Sequence, residues 1–148
     1  MDWDTYFLDI ASVVRKKSKD PNTQIGAVIV GPEHQVLSTG FNGFPRGVDE
    51  TQLDRWEKPT KYEFVEHAER NAIYNAARHG VALRGCTLYV CGFGAVPCTD
   101  CAKAVIQSGI TRIIGRRVKP LSEEKIAGHA VADQMLREAG VEMVEVPA

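Results

Sequence analysis

Two short segments of the chain carry four residues whose types and spacing suit metal chemistry. His67 and Glu69 lie in the segment H-A-E, and Cys98 and Cys101 lie in the segment P-C-T-D-C. One neutral imidazole and two thiolates can hold Zn²⁺ and leave the fourth position open for water. Zinc lowers the pKa of such a water to about 7, and a carboxylate that is not a ligand can move its protons. The four residues therefore predict a catalytic zinc site.

Two other interpretations of the C-x-x-C pair remain open. A structural zinc site wants four protein ligands, and Cys86 or Cys91 could supply the fourth, although they do not form a second C-x-x-C. A thioredoxin-like redox motif would sit just after a strand that opens a βαβ unit. That interpretation leaves the H-x-E segment unexplained, so we favour the catalytic one.

The residues around both segments predict helices that begin at the candidate ligands. Small apolar residues follow His67 at helical spacing, and a second apolar pattern opens at Cys98, just after Pro97. The partial positive charge at a helix N-terminus favours thiolate over thiol. Two such helices, side by side on one face of a sheet, would point both N-termini at one metal.

The rest of the pattern predicts a three-layer α/β/α fold with a five-stranded mixed sheet. The expected strands are 24–30, 35–41, 86–91, 111–114 and 141–146, the first two forming a hairpin. The expected helices are 4–17, the segment from His67, the segment Cys98–Gly109, and Ser122–Ala139 with Ser122 as its N-cap and Gly140 as its stop. Residues 42–60 are expected to form a long loop with a short helix near 53–56. Helical connections favour parallel pairing of the strands after the hairpin.

Composition narrows the classes of function. At 148 residues the chain is expected to form a single domain, residues 1–148. A net charge of −1 argues against binding of long nucleic acid. The four cysteines favour a reducing compartment over a disulfide scaffold, and no apolar run is long enough to span a membrane. We therefore expect a cytoplasmic protein that acts on small molecules.

The pattern H-x-E…P-C-x-x-C is the signature of zinc-dependent nucleobase deaminases. With it, the chain resembles the deoxycytidylate (dCMP) deaminase family of the cytidine deaminase superfamily. The likeness includes S-K-D-P-N-T-Q-I-G-A at 18–27, G-F-N-G-F-P-R-G at 40–47, and K-Y at 61–62, and it covers about residues 1–115. The resemblance implies zinc on His67, Cys98 and Cys101, with Glu69 as proton shuttle. It also implies a homo-oligomer, often a hexamer.

The resemblance further implies where a nucleotide substrate would bind. Asn42 would lie near the sugar, and the segment Lys17, Ser18 and Lys19 near the phosphate. The backbone near Ala68 and Pro97 is a candidate for holding the amino group that leaves.

Two segments depart from the family pattern. Family members run from the strand into a short L-F-P-C, whereas here the connection reads C-G-F-G-A-V-P-C at 91–98. Past Ile114 the family has a loop with tyrosine and aspartate, whereas here the sequence is G-R-R-V-K-P at 115–120. Both loops lie near the mouth of the site in the family. We therefore expect the segments Gly92–Val96 and Gly115–Lys119 to alter its specificity.

The expected reaction is hydrolytic deamination of a cytosine nucleotide, dCMP and water giving dUMP and ammonia. Other small substrates remain open: a 5-substituted dCMP, a cytidine nucleoside or a purine base. A zinc-stabilised regulatory domain without catalysis is a further alternative, although it would have no use for Glu69. Editing of tRNA is disfavoured by the near-zero net charge.

Overall fold

A computed structural model describes residues 1–148. Its helices and strands follow the predicted order closely. The helices are α1 (Trp3–Val14), α2 (Lys61–Phe64), α3 (Ala68–Arg78), α4 (Thr99–Ser108), α5 (Glu123–Gly128) and α6 (Ala130–Glu138). The strands are β1 (Gly26–Val30), β2 (Val36–Phe41), β3 (Thr87–Gly92), β4 (Arg112–Arg117) and β5 (Glu142–Val146). Short 3₁₀ turns cover Arg15–Lys17 and Leu53–Trp56. None of the helices is long and apolar enough to cross a membrane.

The five strands form one mixed sheet in the order β2-β1-β3-β4-β5. Strand β1 pairs antiparallel with both β2 and β3, while β3, β4 and β5 are parallel. The predicted hairpin and the parallel strands after it are therefore confirmed. The pairing brings Gly26, Phe41, Gly92 and Arg117 to one end of the sheet, which we call the site end.

Helices cover both faces of the sheet, which confirms the three-layer architecture. On one face, α1 contributes Phe7, Leu8 and Ala11 to a buried cluster with residues of β1, β3 and β4. On the other face, α3, α4 and α6 build a larger cluster of 17 buried residues. Alanines dominate the buried side of α3, so that helix lies very close to β2. A Cβ on Gly40 would lie only 2.6 Å from the carbonyl oxygen of Ala68.

The structure corrects two of the predicted elements. The single helix expected from Ser122 to Ala139 is two helices, because His129 leaves helical geometry at φ −102° and ψ 6°. Ser122 is nevertheless the N-cap, and its Oγ accepts a hydrogen bond from the Lys125 amide. Strand β4 is longer than expected, because pairing with both β3 and β5 continues through Arg116. Helix α2 was not predicted.

Candidate active site

The N-termini of α3 and α4 bring the three candidate metal ligands together. His67 is the residue just before α3, and Cys98 is the N-cap of α4, where its sulfur accepts from the Cys101 amide at 3.5 Å. His67 Nδ1 lies 3.3 Å from Cys98 Sγ and 3.4 Å from Cys101 Sγ. One atom from each residue can therefore face a single ion, since the three ligand atoms lie within 4.8 Å of one another.

The other two cysteines lie elsewhere, which removes the predicted alternative of a closed structural site. Cys86 precedes β3 at the end of the sheet opposite the site end. Cys91 is buried on the face covered by α1, away from α3 and α4. Neither cysteine belongs to the ligand cluster.

The thiol pair has the electrostatics of a site built for a cation. A hydrogen bond from the Cys101 thiol, together with His67, lowers the pKa of the Cys98 thiol to about 3 despite its burial. The pKa of Cys101 is raised instead, because this thiol shares its proton with Cys98 and is buried. A divalent cation would replace that shared proton, since a thiol that coordinates a metal is deprotonated. The donor set of one imidazole and two sulfurs fits zinc.

Glu69 lies in the first turn of α3, and its side chain is an exception to the usual pairing of buried polar groups. The residue is 3% exposed, and its Oε1 has no hydrogen-bond partner within the protein. Burial raises the pKa of this carboxyl, although the nearby charge of His67 opposes the effect. A buried carboxyl with an unused oxygen is suited to accept and release protons.

An arginine that sequence analysis did not single out links the two ligand helices. Arg70 of α3 lies 2.6 Å from Glu66 and 3.5 Å from Asp100 in α4. Glu66 in turn accepts a hydrogen bond from the His67 amide at 2.9 Å. Burial lowers the pKa of the Arg70 guanidinium, but the acidic groups around it, among them Glu66 and the thiol pair, outweigh burial and raise this pKa. Arg70 could have been found from the sequence by its spacing of three residues from His67, because residues three apart are neighbours on the surface of a helix.

The residues predicted to bind the sugar and phosphate lie at the site end, where two of them make internal hydrogen bonds. Asn42 is buried, and its Oδ1 accepts from the Ile25 amide at 2.8 Å while its Nδ2 donates to Thr23. The Ser18 hydroxyl donates to the Asn42 carbonyl at 2.8 Å. Lys17 and Lys19 are exposed, and Lys19 pairs with Glu50.

A buried ion pair supports this loop and was missed by sequence analysis. Lys61 Nζ lies 2.9 Å from an oxygen of Asp20, with the two side chains only 7% and 2% exposed. Asp20 also accepts from the amides of Asn22 and Thr23. Burial raises the pKa of Asp20, but the hydrogen bonds from Lys61 and the two amides outweigh it, so the net pKa is lowered. The pair joins the 18–25 segment to α2.

Open cavities border the predicted site residues. One, of about 330 Å³, is bordered by Arg15, Asn22, Gly92 and Lys119 among others. Another, of about 580 Å³, includes Cys98 and His129 in its lining. A third, also of about 580 Å³, includes Lys19 in its lining. The predicted departure segments contribute Gly92 and Lys119 to the first cavity, where Lys119 Nζ donates to the Asn22 carbonyl at 3.2 Å.

Comparison with known proteins agrees with this architecture. The family model of the cytidine and deoxycytidylate deaminase zinc-binding region matches residues 1–116. A deoxycytidylate deaminase of Pongo abelii is 41% identical over 120 residues, which cover 77% of this chain and 64% of that protein. A deaminase of Aliivibrio fischeri, itself uncharacterized, is 40% identical over 149 residues, which cover 98% of this chain and 94% of that protein.

The crystal structure of dCMP deaminase from cyanophage S-TIM5, in complex with dCMP and dUMP, has the same fold. Its TM-score is 0.74 at 24% sequence identity, with 96% of this chain and 95% of that chain covered. The prediction of a cytidine-deaminase-like fold is confirmed, and zinc is the metal of the matching family. The region of the chain that the family model matches contains all three candidate ligands and Glu69. The chain therefore belongs to the cytidine and deoxycytidylate deaminase family.

Proposed function

We propose that the protein deaminates a cytosine nucleotide, converting dCMP and water to dUMP and ammonia. The observation that carries this proposal is the buried Glu69 carboxyl, whose Oε1 has no partner, in the first turn of α3 beside His67 of the three-ligand cluster. A structural metal site has no use for such a carboxyl. Relatives named deoxycytidylate deaminase, and a neighbour solved with dCMP and dUMP, support the choice of substrate.

The converging atoms that would hold zinc are His67 Nδ1 and the sulfurs of Cys98 and Cys101. When bound, zinc makes a water available as a nucleophile at neutral pH, because it lowers that water's pKa to about 7. Glu69 would take one proton from this water and deliver it to N3 of the ring as the water oxygen adds to C4. The same carboxyl would then move the remaining proton of the added hydroxyl to the amino group, so that the bond from C4 to nitrogen breaks, ammonia leaves and C4 becomes a carbonyl. Burial raises the pKa of Glu69, which makes it a better base for the first transfer.

The internal hydrogen bonds of Asn42 restrict how it could touch a sugar. Both Nδ2 hydrogens are used, by Thr23 and by Asp20, whereas Oδ1 has one lone pair left after bonding to Ile25. A sugar hydroxyl would therefore donate to Oδ1.

The same reasoning reduces the number of groups that could donate a hydrogen bond to the phosphate. The hydroxyl hydrogen of Ser18 already bonds the carbonyl of Asn42. Lys17 and Lys19 are therefore the donors left for a phosphate in that segment. The backbone of Ala68 and Pro97, each next to a candidate ligand, stays our proposal for holding the leaving amino group.

The test is ammonia release measured over dCMP, deoxycytidine, 5-methyl-dCMP, CMP and adenine. We expect a kcat/KM for dCMP far above that for deoxycytidine, because a phosphate anchored by cationic donors adds binding energy that a nucleoside lacks. Equal values for the two would remove the phosphate contact from the proposal. Ammonia release from adenine alone would show that the substrate is a purine base and not a cytosine nucleotide.

We propose further that residues 1–148 work as one deaminase domain and that the protein is a cytoplasmic homo-oligomer. The two buried clusters lie on opposite faces of one sheet, which supports a single folding unit. Four free thiols suit a reducing compartment. Light scattering at several protein concentrations tests the oligomer, and a mass that stays at 16.3 kDa would contradict it.

A further inference from the structure

The two segments that depart from the family pattern pack directly against each other. A Cβ on Gly115 of β4 would lie 2.5 Å from the carbonyl carbon of Gly94 and 2.8 Å from the Cα of Ala95. A Cβ on Gly94 would lie 2.8 Å from Nε of Arg117. Real Cβ atoms do not approach backbone atoms so closely, so a glycine is needed at 115, whereas a Cβ at 94 would displace the ends of the Arg117 and Glu145 side chains. The loop between β3 and α4, residues 93–97, therefore lies flat on β4.

Glu145 of β5 holds this loop from the side. Its Oε1 accepts a hydrogen bond from the Ala95 amide at 2.5 Å and lies 3.5 Å from Nη2 of Arg117. Ala95 is 1% exposed, and no other acceptor bonds its amide. Loss of the Glu145 carboxylate would leave that buried N–H without a partner, which is costly in the folded state.

The next residue of the loop, Val96, is held by a second side chain. His129, between α5 and α6, has its Nδ1 3.1 Å from the Val96 carbonyl oxygen. A carbonyl only accepts, so Nδ1 is the donor. The His129 ring also packs against Phe93, with ring centres 5.3 Å apart. Glu145 and His129 thus hold the two residues that come just before Pro97 and Cys98.

We propose that Glu145 is a positioning residue for the deaminase reaction, acting through the Ala95 amide on the loop that places Pro97 and Cys98. This inference rests on the proposed function. The loop belongs to no helix or strand, so its path depends on bonds from other elements. Pro97 and Cys98 adjoin the reacting groups, and a displacement of about 1 Å at such a site can cost on the order of 10²-fold in rate.

Two substitutions at Glu145 separate the hydrogen bond from the charge. Glu145→Ala removes both the acceptor for Ala95 and the contact with Arg117. Glu145→Gln keeps an acceptor oxygen for the Ala95 amide but loses the negative charge. Glu142→Ala is a matched control, because Glu142 lies on the same strand and pairs with an arginine of β4, Arg112, at 3.3 Å, but at the opposite end of the sheet.

Four quantities are compared in each full-length variant: kcat for dCMP, KM for dCMP, zinc content, and hydrogen exchange of the amides in 93–98. We expect Glu145→Ala to exchange the Ala95 amide faster and to lower kcat by about tenfold or more, with a smaller change in KM. Glu145→Gln should recover most of both effects. Glu142→Ala should match the unmodified protein in turnover and exchange.

Unchanged exchange and turnover in Glu145→Ala would overturn the inference. Equal impairment of Glu145→Ala and Glu145→Gln would also overturn it, because the charge beside Arg117 would then matter rather than the bond to Ala95. Failure of the proposed function has a different signature, namely no ammonia release by the unmodified protein.

Discussion

An arginine and a glutamate join β4 to β5 at each end of the sheet, but their surroundings differ. At the opposite end, Arg112 lies 3.3 Å from both Glu142 and Asp4, and Asp4 also accepts from the Tyr89 hydroxyl at 2.8 Å. At the site end, the corresponding pair is Arg117 and Glu145, and its carboxylate is bonded to a loop amide.

The same contrast holds for buried polar atoms without partners. Four side chains have such an atom: Arg15, Glu69, Arg70 and Arg117. All four lie towards the site end, and none lies at the opposite end. Native proteins rarely leave buried polar atoms unpaired, so the exceptions point to where a ligand or a reaction needs them. The comparison therefore marks the site end, and not the opposite end, as the candidate for binding and chemistry.

The largest effect is expected at the site end, from removal of a candidate metal ligand. Cys98→Ala removes one of three candidate ligands, so we expect zinc to fall from about one per chain to near none, with turnover lost. Elemental analysis and ammonia release measure the two effects. Cys91→Ala is the matched control, because Cys91 is also a free cysteine but lies on the α1 face, outside the ligand cluster. Full zinc content in Cys98→Ala would remove this residue from the ligand set.

Glu69→Gln should separate chemistry from folding. We expect kcat to fall about 10²–10⁴-fold, because an amide cannot accept or pass the proton. The thermal midpoint should stay the same or rise, since Oε1 has no protein partner to lose and a buried charge is removed. Zinc content should be unchanged. A kcat near that of the unmodified protein, with zinc bound, would show that another group moves the proton.

The buried pair of Asp20 and Lys61 shows that the site end also contains structural bonds. Lys61→Ala should lower the free energy of unfolding by about 3–5 kcal/mol, because it leaves the Asp20 carboxylate buried without its partner. Urea denaturation measures this loss. The double variant Asp20→Asn with Lys61→Met removes both charges and should be much less destabilised. A loss under about 1 kcal/mol in Lys61→Ala would mean that water replaces the lysine.

The smallest effect is expected at the opposite end of the sheet. Arg112→Ala removes ion pairs to Asp4 and Glu142, but the arginine side chain is 33% exposed. Pairs of this kind contribute about 0–1 kcal/mol, so the free energy of unfolding should change little. Turnover and zinc content should be unchanged. A tenfold loss of kcat in this variant would contradict the separation between the two ends.

Sequence alone was enough to predict the candidate ligands, the candidate proton-transfer residue and the order of elements. His67, Cys98 and Glu69 could be found because each lies at the start of a helix, and the signals for a helix start are local. The alternation of strand and helix patterns was enough to predict the three-layer fold. Even so, the helix expected after Ser122 was divided at His129, whose ring bonds a carbonyl of a distant loop.

The hydrogen bonds and ion pairs that shape the site end could not be predicted, because they join residues far apart in the chain. Lys61 and Asp20 are 41 positions apart, and Glu145 and Ala95 are 50 apart. Gly94 and Gly115 are points of close approach in the fold, which their positions in the sequence do not show. Residue periodicity reports which face of one element is buried. It does not report which atom of another element lies against that face, because that depends on how the sheet and helices pack together.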